Sequence, residues 1–313
     1  MKYLEIYKGW KNNPIEFWKK NAEDVSWISF PEKILTKKNK NFYEWFSDGV
    51  MNTCYNAVDK NILEGRGDQV AIYYDSPITN SKSKLTYNEL KFKVEEFAGA
   101  LNKYNISKGD RVIVYMPMIP EAIIAVLAIA RIGAVHSVVF GGFAAKELAV
   151  RIDDCSPKLI ISASCGIEPG RIVEYKPLLD EAIKLSNHKV KNCIIFQREQ
   201  LTVKLNASLD VSWDEAIKDI KPADIVPVNG NDPLYILYTS GTTGQPKGVV
   251  RDNAGHLVSL KWSMKNVYNM DPGEVFWAAS DIGWVVGHSY IIYAPLFHGC
   301  STVLFEGKPV GTP

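Results

Sequence analysis

The chain has 313 residues, of which 46% are hydrophobic and 23% are charged, and its formal net charge is +1. This composition is typical of a globular protein with a core large enough to be stable without disulfides, and the charge gives no support to a nucleic-acid or membrane partner. The five cysteines are scattered and form no C-x-x-C pair, which argues against a disulfide framework or a zinc site and favours a reducing, cytoplasmic location.

The first part of the chain predicts one short helix followed by an irregular segment. Asn13 suits the N-cap of a helix and Pro14 its first position. Residues 25–61 are rich in aromatic side chains but weakly periodic, which is typical of a segment that wraps around another unit. The longest apolar run, residues 122–130, is shorter than the roughly 20 residues that a membrane span needs. We therefore expect it to be a buried helix.

From residue 70 onward, predicted strands and helices alternate. The strands are expected at residues 70–74, 111–115, 135–140, 159–162, 192–196, 234–239, 275–279 and 302–305. Helices are expected after the capping box of Thr86 and Glu89 and at residues 121–131, 144–153, 177–185 and 254–268. Residues 80–84 are expected to form a polar hairpin-like loop and residues 197–232 a polar linker. This alternation predicts an α/β fold with parallel-rich sheets covered by helices.

A glycine-rich and hydroxyl-rich loop, T-S-G-T-T-G-Q-P-K-G, begins at the last residue of the predicted strand 234–239. Its glycines permit close approach to a ligand, and its hydroxyl and backbone donors suit phosphate oxygens. The Walker A pattern does not match, because Pro246 stands where the second glycine should be. The alternative to a phosphate site is a solvated loop, which the order P-K-G disfavours. The candidate phosphate-binding residues are Thr239, Ser240, Gly241, Thr242, Thr243, Gly244 and Lys247.

A second notable segment, D-I-G-W-V-V-G-H, spans residues 281–288. Glycines beside bulky apolar residues can shape a compact hydrophobic slot around Val285 and Val286. The alternative is a buried helix start with core valines, and the residue pattern leaves both open. His288 is either a structural residue or one that positions a substrate.

These segments together resemble the acetyl/propionyl-CoA synthetase family of the adenylate-forming superfamily. The phosphate loop is similar to Y-T-S-G-T-T-G-x-P-K-G-V, and residues 281–288 are similar to D-x-G-W-x-x-G-H. Further matches are V-F-G-G-F at residues 139–143, F-E-G-x-P at 305–309 and W-F-x-x-G-x-x-N-x-x-x-N-x-x-D at 45–59. The resemblance implies the large N-terminal domain of an adenylate-forming enzyme. On this view residues 1–60 are the family's N-terminal wrapping segment and residues 61–313 an AMP-binding domain.

The resemblance also implies the chemistry. The family joins a short-chain carboxylate to coenzyme A through acyl-AMP, using ATP with Mg²⁺ and releasing pyrophosphate. It implies small-molecule partners and no nucleic acid or membrane. It assigns the acyl pocket to Trp284, Val285, Val286 and His288, and coenzyme A contacts to Gly142, Glu168 and Arg171.

The chain departs from the acetyl-type pattern at three positions. Glu168 stands where an arginine is frequent, Val286 where a threonine is frequent, and Val310 where an asparagine is frequent. These residues resemble the propionyl-CoA synthetase subgroup. Family members continue well beyond Pro313, into adenine-binding motifs and a small C-terminal domain with a catalytic lysine. We therefore expect a chain truncated before the C-terminal domain. The alternative function is a non-catalytic nucleotide-binding remnant.

Overall fold

The structure is a computed structural model that describes residues 3–168, 170–239 and 246–307. All five cysteines are buried as free thiols. In this described part of the chain, no helix is both long enough and apolar enough to cross a membrane.

The strands are, in chain order, β1 (Leu35–Asn39), β2 (Phe42–Trp45), β3 (Val50–Met51), β4 (Val70–Ser76), β5 (Ser81–Thr86), β6 (Arg111–Tyr115), β7 (Val135–Val138), β8 (Leu159–Ala163), β9 (Cys165–Glu168), β10 (Arg171–Glu174), β11 (Asn192–Phe196), β12 (Asp210–Ser212), β13 (Val228–Asn229), β14 (Pro233–Thr239), β15 (Lys247–Asp252), β16 (Val275–Phe276) and β17 (Ser301–Phe305).

The α-helices are α1 (Tyr3–Asn12), α2 (Pro14–Ala22), α3 (Thr53–Ala57), α4 (Asp59–Asn61), α5 (Tyr87–Lys103), α6 (Pro120–Arg131), α7 (Ala145–Cys155), α8 (Tyr175–Leu185), α9 (Trp213–Ile217), α10 (Ala254–Asn266), α11 (Val285–Gly287) and α12 (Ala294–His298). Two π-helical turns, Ile62–Arg66 and His288–Tyr293, continue α4 and α11.

The larger sheet has seven strands in the order β12-β11-β8-β6-β7-β14-β15, and all neighbours are parallel except β14 and β15. Successive side chains of a strand point to opposite faces. Accordingly, Val112 and Val114 enter the core under α5 and α6, whereas Ile113 and Tyr115 enter the core under α7 and α8. Helices cover both faces, which confirms the predicted parallel-rich α/β architecture.

A second sheet has the order β16-β17-β4-β5, with β16, β17 and β4 parallel. The N-terminal segment is tied to the body of the protein by buried polar groups. The Asn52 amide donates to the carbonyl oxygens of Arg131 and Val226, each at 2.9 Å. The Arg131 guanidinium pairs with Asp59 at 2.9 Å and with Glu95 at 2.6 Å. These bonds join α3, α4, α5 and α6 to one another.

Several sequence-based boundaries agree with the structure and others were wrong. The strands predicted at 111–115 and 192–196 coincide with β6 and β11, and the predicted capping box of Thr86 and Glu89 is present. The predicted loop at 80–84 is wrong, because most of it belongs to the edge strand β5. The predicted linker at 197–232 contains β12, α9 and β13. The hairpin of β9 with β10 and the strand β15 were not predicted.

Candidate functional site

The central cleft lies where the carboxyl ends of two sets of parallel strands meet. Its volume is about 320 Å³. The larger sheet contributes Pro117 and Met118 after β6, residues 140–142 after β7 and residues 166–168 after β8. The smaller sheet contributes Trp277, residues 279–281 and residues 305–307, which follow β16 or end β17. Ligands of open α/β sheets bind at the carboxyl ends of the strands. The cleft is therefore the candidate site.

Two glycines bring the backbone close to a tyrosine in the cleft wall. An added Cβ at Gly141 would lie 2.1 Å from the Tyr175 hydroxyl, and one at Gly166 would lie 2.3 Å from it. Any larger residue at either position would overlap the Tyr175 side chain in its present position, so both positions require glycine. The Tyr175 hydroxyl is buried, and burial raises its pKa, so it is a neutral polar group in the wall.

The predicted phosphate loop begins at the carboxyl end of β14, beside β7 in the same sheet. Tyr235 of β14 is in parallel register with His136 of β7, and the chain beyond β7 enters the cleft. Thr239 and Lys247 are exposed register partners on β14 and β15. The other predicted phosphate-binding residues lie outside the described residues; they are Ser240, Gly241, Thr242, Thr243 and Gly244. The structure thus places the two ends of the loop side by side.

Two of the three residues assigned to coenzyme A line the cleft. Gly142 and Glu168 are part of its wall. Arg171 lies beside them, because β9 and β10 form a hairpin in which Arg171 is the register partner of Glu168. The Arg171 Nη2 is 2.9 Å from the Glu168 carboxylate. Gly170, before β10, has φ +78°, a conformation that favours glycine, and this glycine is a sequence signal for a turn.

The residues assigned to the acyl pocket separate into an exposed set and a buried one. Trp284, Val285 and Val286 are 51%, 48% and 50% exposed. The Trp284 ring lies 6.0 Å from the ring of Phe140, which lines the cleft, so this surface adjoins the cleft. His288 is completely buried beneath it, and its Nδ1 lies 2.8 Å from the Ile282 carbonyl oxygen. The His288 side chain is therefore not exposed at this surface.

Asp281 is a cleft residue that sequence reasoning did not assign to the site. Its carboxylate accepts a hydrogen bond of 2.7 Å from the Gly283 amide, and burial raises its pKa to about 6. It is therefore mostly ionised at neutral pH.

Glu306 was also missed as a site residue. Glu306 forms a buried ion pair with Arg198, with 2.7 Å between the nearest atoms. Arg198 belongs to the segment predicted as a polar linker and to no recognised motif, so the sequence did not indicate this pair.

No group of three or more His, Cys, Asp or Glu side chains that could hold a metal ion occurs within residues 3–168, 170–239 and 246–307. The charged side chains that line the cleft are the carboxylates of Glu168, Asp281 and Glu306, and that of Glu306 is paired with Arg198.

Comparison with known proteins identifies the family. The sequence model described as AMP-binding enzyme matches residues 60–313, and that described as acetyl-coenzyme A synthetase N-terminus matches residues 3–57. The chain belongs to the AMP-binding enzyme family.

Among relatives of this AMP-binding enzyme chain is the Homo sapiens protein named "Acyl-CoA synthetase short-chain family member 3, mitochondrial". It is 54% identical over 302 residues, which cover 96% of this chain and 44% of that protein. The "Acetyl-coenzyme A synthetase" of Xanthobacter autotrophicus is 42% identical over 316 residues, covering 98% of this chain and 48% of that protein. The chain thus spans about half the length of these relatives.

The fold is also that of a solved structure, "Acetoacetyl-CoA Synthetase from Streptomyces lividans". The TM-score is 0.87 at 24% sequence identity, with 96% of this chain and 46% of that chain covered. The arrangement of the two sheets is therefore shared with about half of that structure.

Proposed function

We propose that this chain of the AMP-binding enzyme family provides the ATP-phosphate loop and the acyl and coenzyme A surfaces of an AMP-forming acid–thiol ligase. The observation that carries the proposal is the position of the central cleft. It lies at the carboxyl ends of β6, β7 and β8, beside the end of β14 from which the phosphate loop departs. The printed names of the relatives, which are short-chain acyl-CoA and acetyl-CoA synthetases, support the same reaction.

The proposed reaction has two steps. A carboxylate oxygen attacks the α-phosphorus of ATP, which enters with Mg²⁺ as part of the substrate, and the bond to the β-phosphate breaks to release pyrophosphate. The thiol of coenzyme A then attacks the acyl carbon, loses its proton, and displaces AMP. The loop donors and Lys247 would stabilise the phosphate charge that develops in the first step, because preorganised donors act most strongly where charge develops.

We further propose that the two family matches correspond to two parts of the chain, an N-terminal wrapping segment over residues 1–60 and an AMP-binding domain from residue 61 onward. The matched ranges 3–57 and 60–313 support this division. A cytoplasmic location remains a proposal, supported by the five free, buried thiols.

The first test concerns Lys247, whose side chain is exposed beside the phosphate loop. In the protein expressed with its complete reading frame, Lys247→Ala is expected to slow pyrophosphate–ATP exchange about 10²–10³-fold, the loss typical of one preorganised donor. The matched control is Lys103→Ala, an exposed lysine at the end of α5, which should leave exchange unchanged. Equal rates in both variants would remove Lys247 from the mechanism.

The same assay separates the enzyme from the alternative, a non-catalytic remnant. An enzyme of the proposed class yields AMP and pyrophosphate, together with acyl-CoA when coenzyme A is present. A protein that binds MgATP but shows no exchange with acetate, propionate or butyrate would support the remnant. Release of ADP and orthophosphate would contradict the proposed reaction class.

The acyl group is proposed to be short, with propionate preferred over acetate. The support is the exposed surface of Trp284, Val285 and Val286 beside the cleft, together with valine at 286. One methylene in a hydrophobic pocket changes selectivity by only about 1–3 kcal/mol, so acetate and propionate should overlap as substrates. Specificity constants for acetate, propionate, butyrate and octanoate test this proposal, and a preference for octanoate would overturn it.

The coenzyme A surface is proposed to include Gly142, Glu168 and Arg171. Gly142 and Glu168 support it by lining the cleft, and Arg171 by its hairpin position. The ion pair between Glu168 and Arg171 partly neutralises the guanidinium. A phosphate of coenzyme A would therefore gain less from Arg171 here than from an arginine without a carboxylate partner.

A further inference from the structure

A chain of hydrogen bonds runs through the core beneath the proposed acyl surface. The Tyr293 hydroxyl lies 2.6 Å from His136 Nε2, and His136 Nδ1 lies 3.3 Å from His288 Nε2. His288 Nδ1 in turn lies 2.8 Å from the carbonyl oxygen of Ile282. All three side chains are completely buried. We call Tyr293, His136 and His288 the buried relay.

The last acceptor fixes the direction of every bond in the buried relay. A backbone carbonyl only accepts, so His288 Nδ1 must carry the hydrogen, and a neutral imidazole then has an acceptor at Nε2. His136 Nδ1 must therefore donate to it, and His136 Nε2 must accept from the Tyr293 hydroxyl. Burial lowers the pKa of His288 to about 4, and it lowers that of His136 well below its ordinary value. Both rings are thus neutral at pH 7 and both carry hydrogen on Nδ1.

The buried relay connects three parts of the fold that are distant in sequence. His136 belongs to β7 of the larger sheet, and Tyr293 ends the π-helical turn before α12. Ile282 follows the cleft residue Asp281 and precedes Trp284, whose amide donates to the Asp281 carbonyl at 3.0 Å. The relay therefore attaches the turn that carries the cleft carboxylate and the proposed acyl residues to the rigid centre of the sheet.

We propose that Tyr293, His136 and His288 are positioning residues that hold the segment 281–286 against β7 and so set the place of the acyl group. This inference rests on the proposed function for its effect on substrates, but not for its effect on the segment. Directional hydrogen bonds suit such a role, because packed apolar side chains alone allow small shifts whereas a bonded chain of three groups specifies one arrangement. A displacement of about 1 Å of a substrate-positioning group can cost up to about 10²-fold in rate, and a smaller displacement costs less.

The tautomers give the first test. In the protein labelled with ¹⁵N-histidine, long-range ¹H–¹⁵N correlation spectra at pH 7 should show His136 and His288 as neutral rings protonated at Nδ1. Single His136→Asn and His288→Asn variants assign the signals. Protonation at Nε2 in either ring, or an imidazolium, would overturn the relay.

Hydrogen exchange of the peptide spanning residues 281–288 gives the second test. Tyr293→Phe leaves His136 Nε2 without its donor and is expected to speed exchange of the Trp284 and His288 amides about tenfold, the equivalent of one lost hydrogen bond. The matched control is Tyr87→Phe, a completely buried tyrosine whose hydroxyl donates to the Cys300 carbonyl at 2.7 Å. It should leave this peptide unchanged. Equal exchange in the two variants would overturn the proposal.

A pair of His288 variants keeps the test independent of Tyr293. The amide of His288→Asn can replace the Nδ1 donor to Ile282, whereas His288→Leu cannot, so protection of residues 281–288 should be greater in the asparagine variant. Equal protection in both would contradict the relay.

Kinetics of the protein with its complete reading frame then connect the relay to substrate. Tyr293→Phe should raise KM for propionate about 3–10-fold, in line with a shifted pocket contact, and leave KM for ATP unchanged. An equal loss for both substrates would mean that the relay only stabilises the fold, and would overturn its positioning role. A loosened segment with an unchanged propionate KM would instead contradict the acyl assignment in the proposed function.

Discussion

The buried ion pair between Arg198 and Glu306 connects the two sheets beside the cleft, and breaking it tests how the cleft is held together. Arg198 is 6% exposed and follows β11, whereas Glu306 is 3% exposed and follows β17, so the pair joins the two sheets. It is bidentate, with distances of 2.7 Å and 2.9 Å. The Tyr74 and Ser76 hydroxyls also donate to the Glu306 carboxylate, at 2.6 Å and 2.9 Å.

Arg198→Met retains the apolar stem and removes both charged donors. The two hydroxyl donors remain, but the carboxylate stays buried without a countercharge. Breaking a buried pair in this way typically costs about 3–5 kcal/mol, because one uncompensated charge is left in the interior. We expect the free energy of unfolding to fall by that amount. The measurement is urea unfolding at pH 7, with the slope of the unfolding free energy against urea unchanged.

Two further variants show whether charge is the cause. Glu306→Gln retains an acceptor for Tyr74 and Ser76, so the double variant Arg198→Met/Glu306→Gln should recover part of the lost stability. Lys108→Met breaks an exposed pair with Asp232, 2.8 Å apart, and should cost no more than about 1 kcal/mol. A double variant less stable than Arg198→Met alone, or an Arg198→Met cost equal to that of Lys108→Met, would refute the reasoning.

Two other substitutions test the surroundings of the cleft. Gly287→Ala should cost about 1–3 kcal/mol in urea unfolding as an overpacked site, because its Cβ would lie 2.0 Å from the Asp281 carbonyl oxygen. Gly9→Ala is the control. A Cβ at Gly9 would have its nearest neighbouring atom 3.9 Å away, and alanine favours the helix α1 in which Gly9 lies, so the free energy of unfolding should not fall. Burial lowers the pKa of His256 to about 3 in the folded protein, so on acidification from pH 7 to pH 5 the unfolded chain takes up a proton that the folded chain does not. The contribution of His256 to the free energy of unfolding is fully retained at pH 7. It is lost as the pH falls below about 6.5, and the loss reaches about 2 kcal/mol at pH 5. His256→Phe should therefore lose less stability than the wild type between these two pH values, and an identical pH dependence would contradict this account.

The sequence predicted best the elements whose signals are local. The strands β6 and β11 are continuous runs of mainly apolar residues, as expected for strands buried on both faces. The start of α5 is marked by Thr86 and Glu89, and both hydrogen bonds of that capping box are formed. In these cases the residues that define the element are also its neighbours in sequence.

The elements that were missed owe their structure to distant partners. The strand β5 has four exposed residues among six and pairs with β4 as a polar edge, so it lacks the alternation that reveals half-buried strands. The strand β15 is exposed over nearly its whole length and exists because it pairs with β14. No periodicity in their own residues could have identified either one.

The candidate site also contains residues that the sequence motifs identified and residues whose positions only the structure reveals. Motif resemblance placed Gly142 and Glu168 at the site, and the structure brings both into the cleft wall. It could not reveal that His288 is buried, because its partner His136 is 152 residues away in the chain. Asp281 had a sequence signal, as the first residue of the D-x-G-W segment, but its place in the cleft became evident only from the structure.

The polar groups buried around the cleft explain why its shape is specified so closely. On one side the Arg198–Glu306 pair joins the ends of β11 and β17, and on the other the Ile282 carbonyl is bonded through His288 to β7. Each group gains little net stability when paired but costs about 1–3 kcal/mol or more when left unpaired. Any displacement of one cleft wall against the other would therefore break bonds that have no replacement in the apolar interior. Apolar packing gives this fold its stability, but these directional contacts determine where the two walls lie relative to each other.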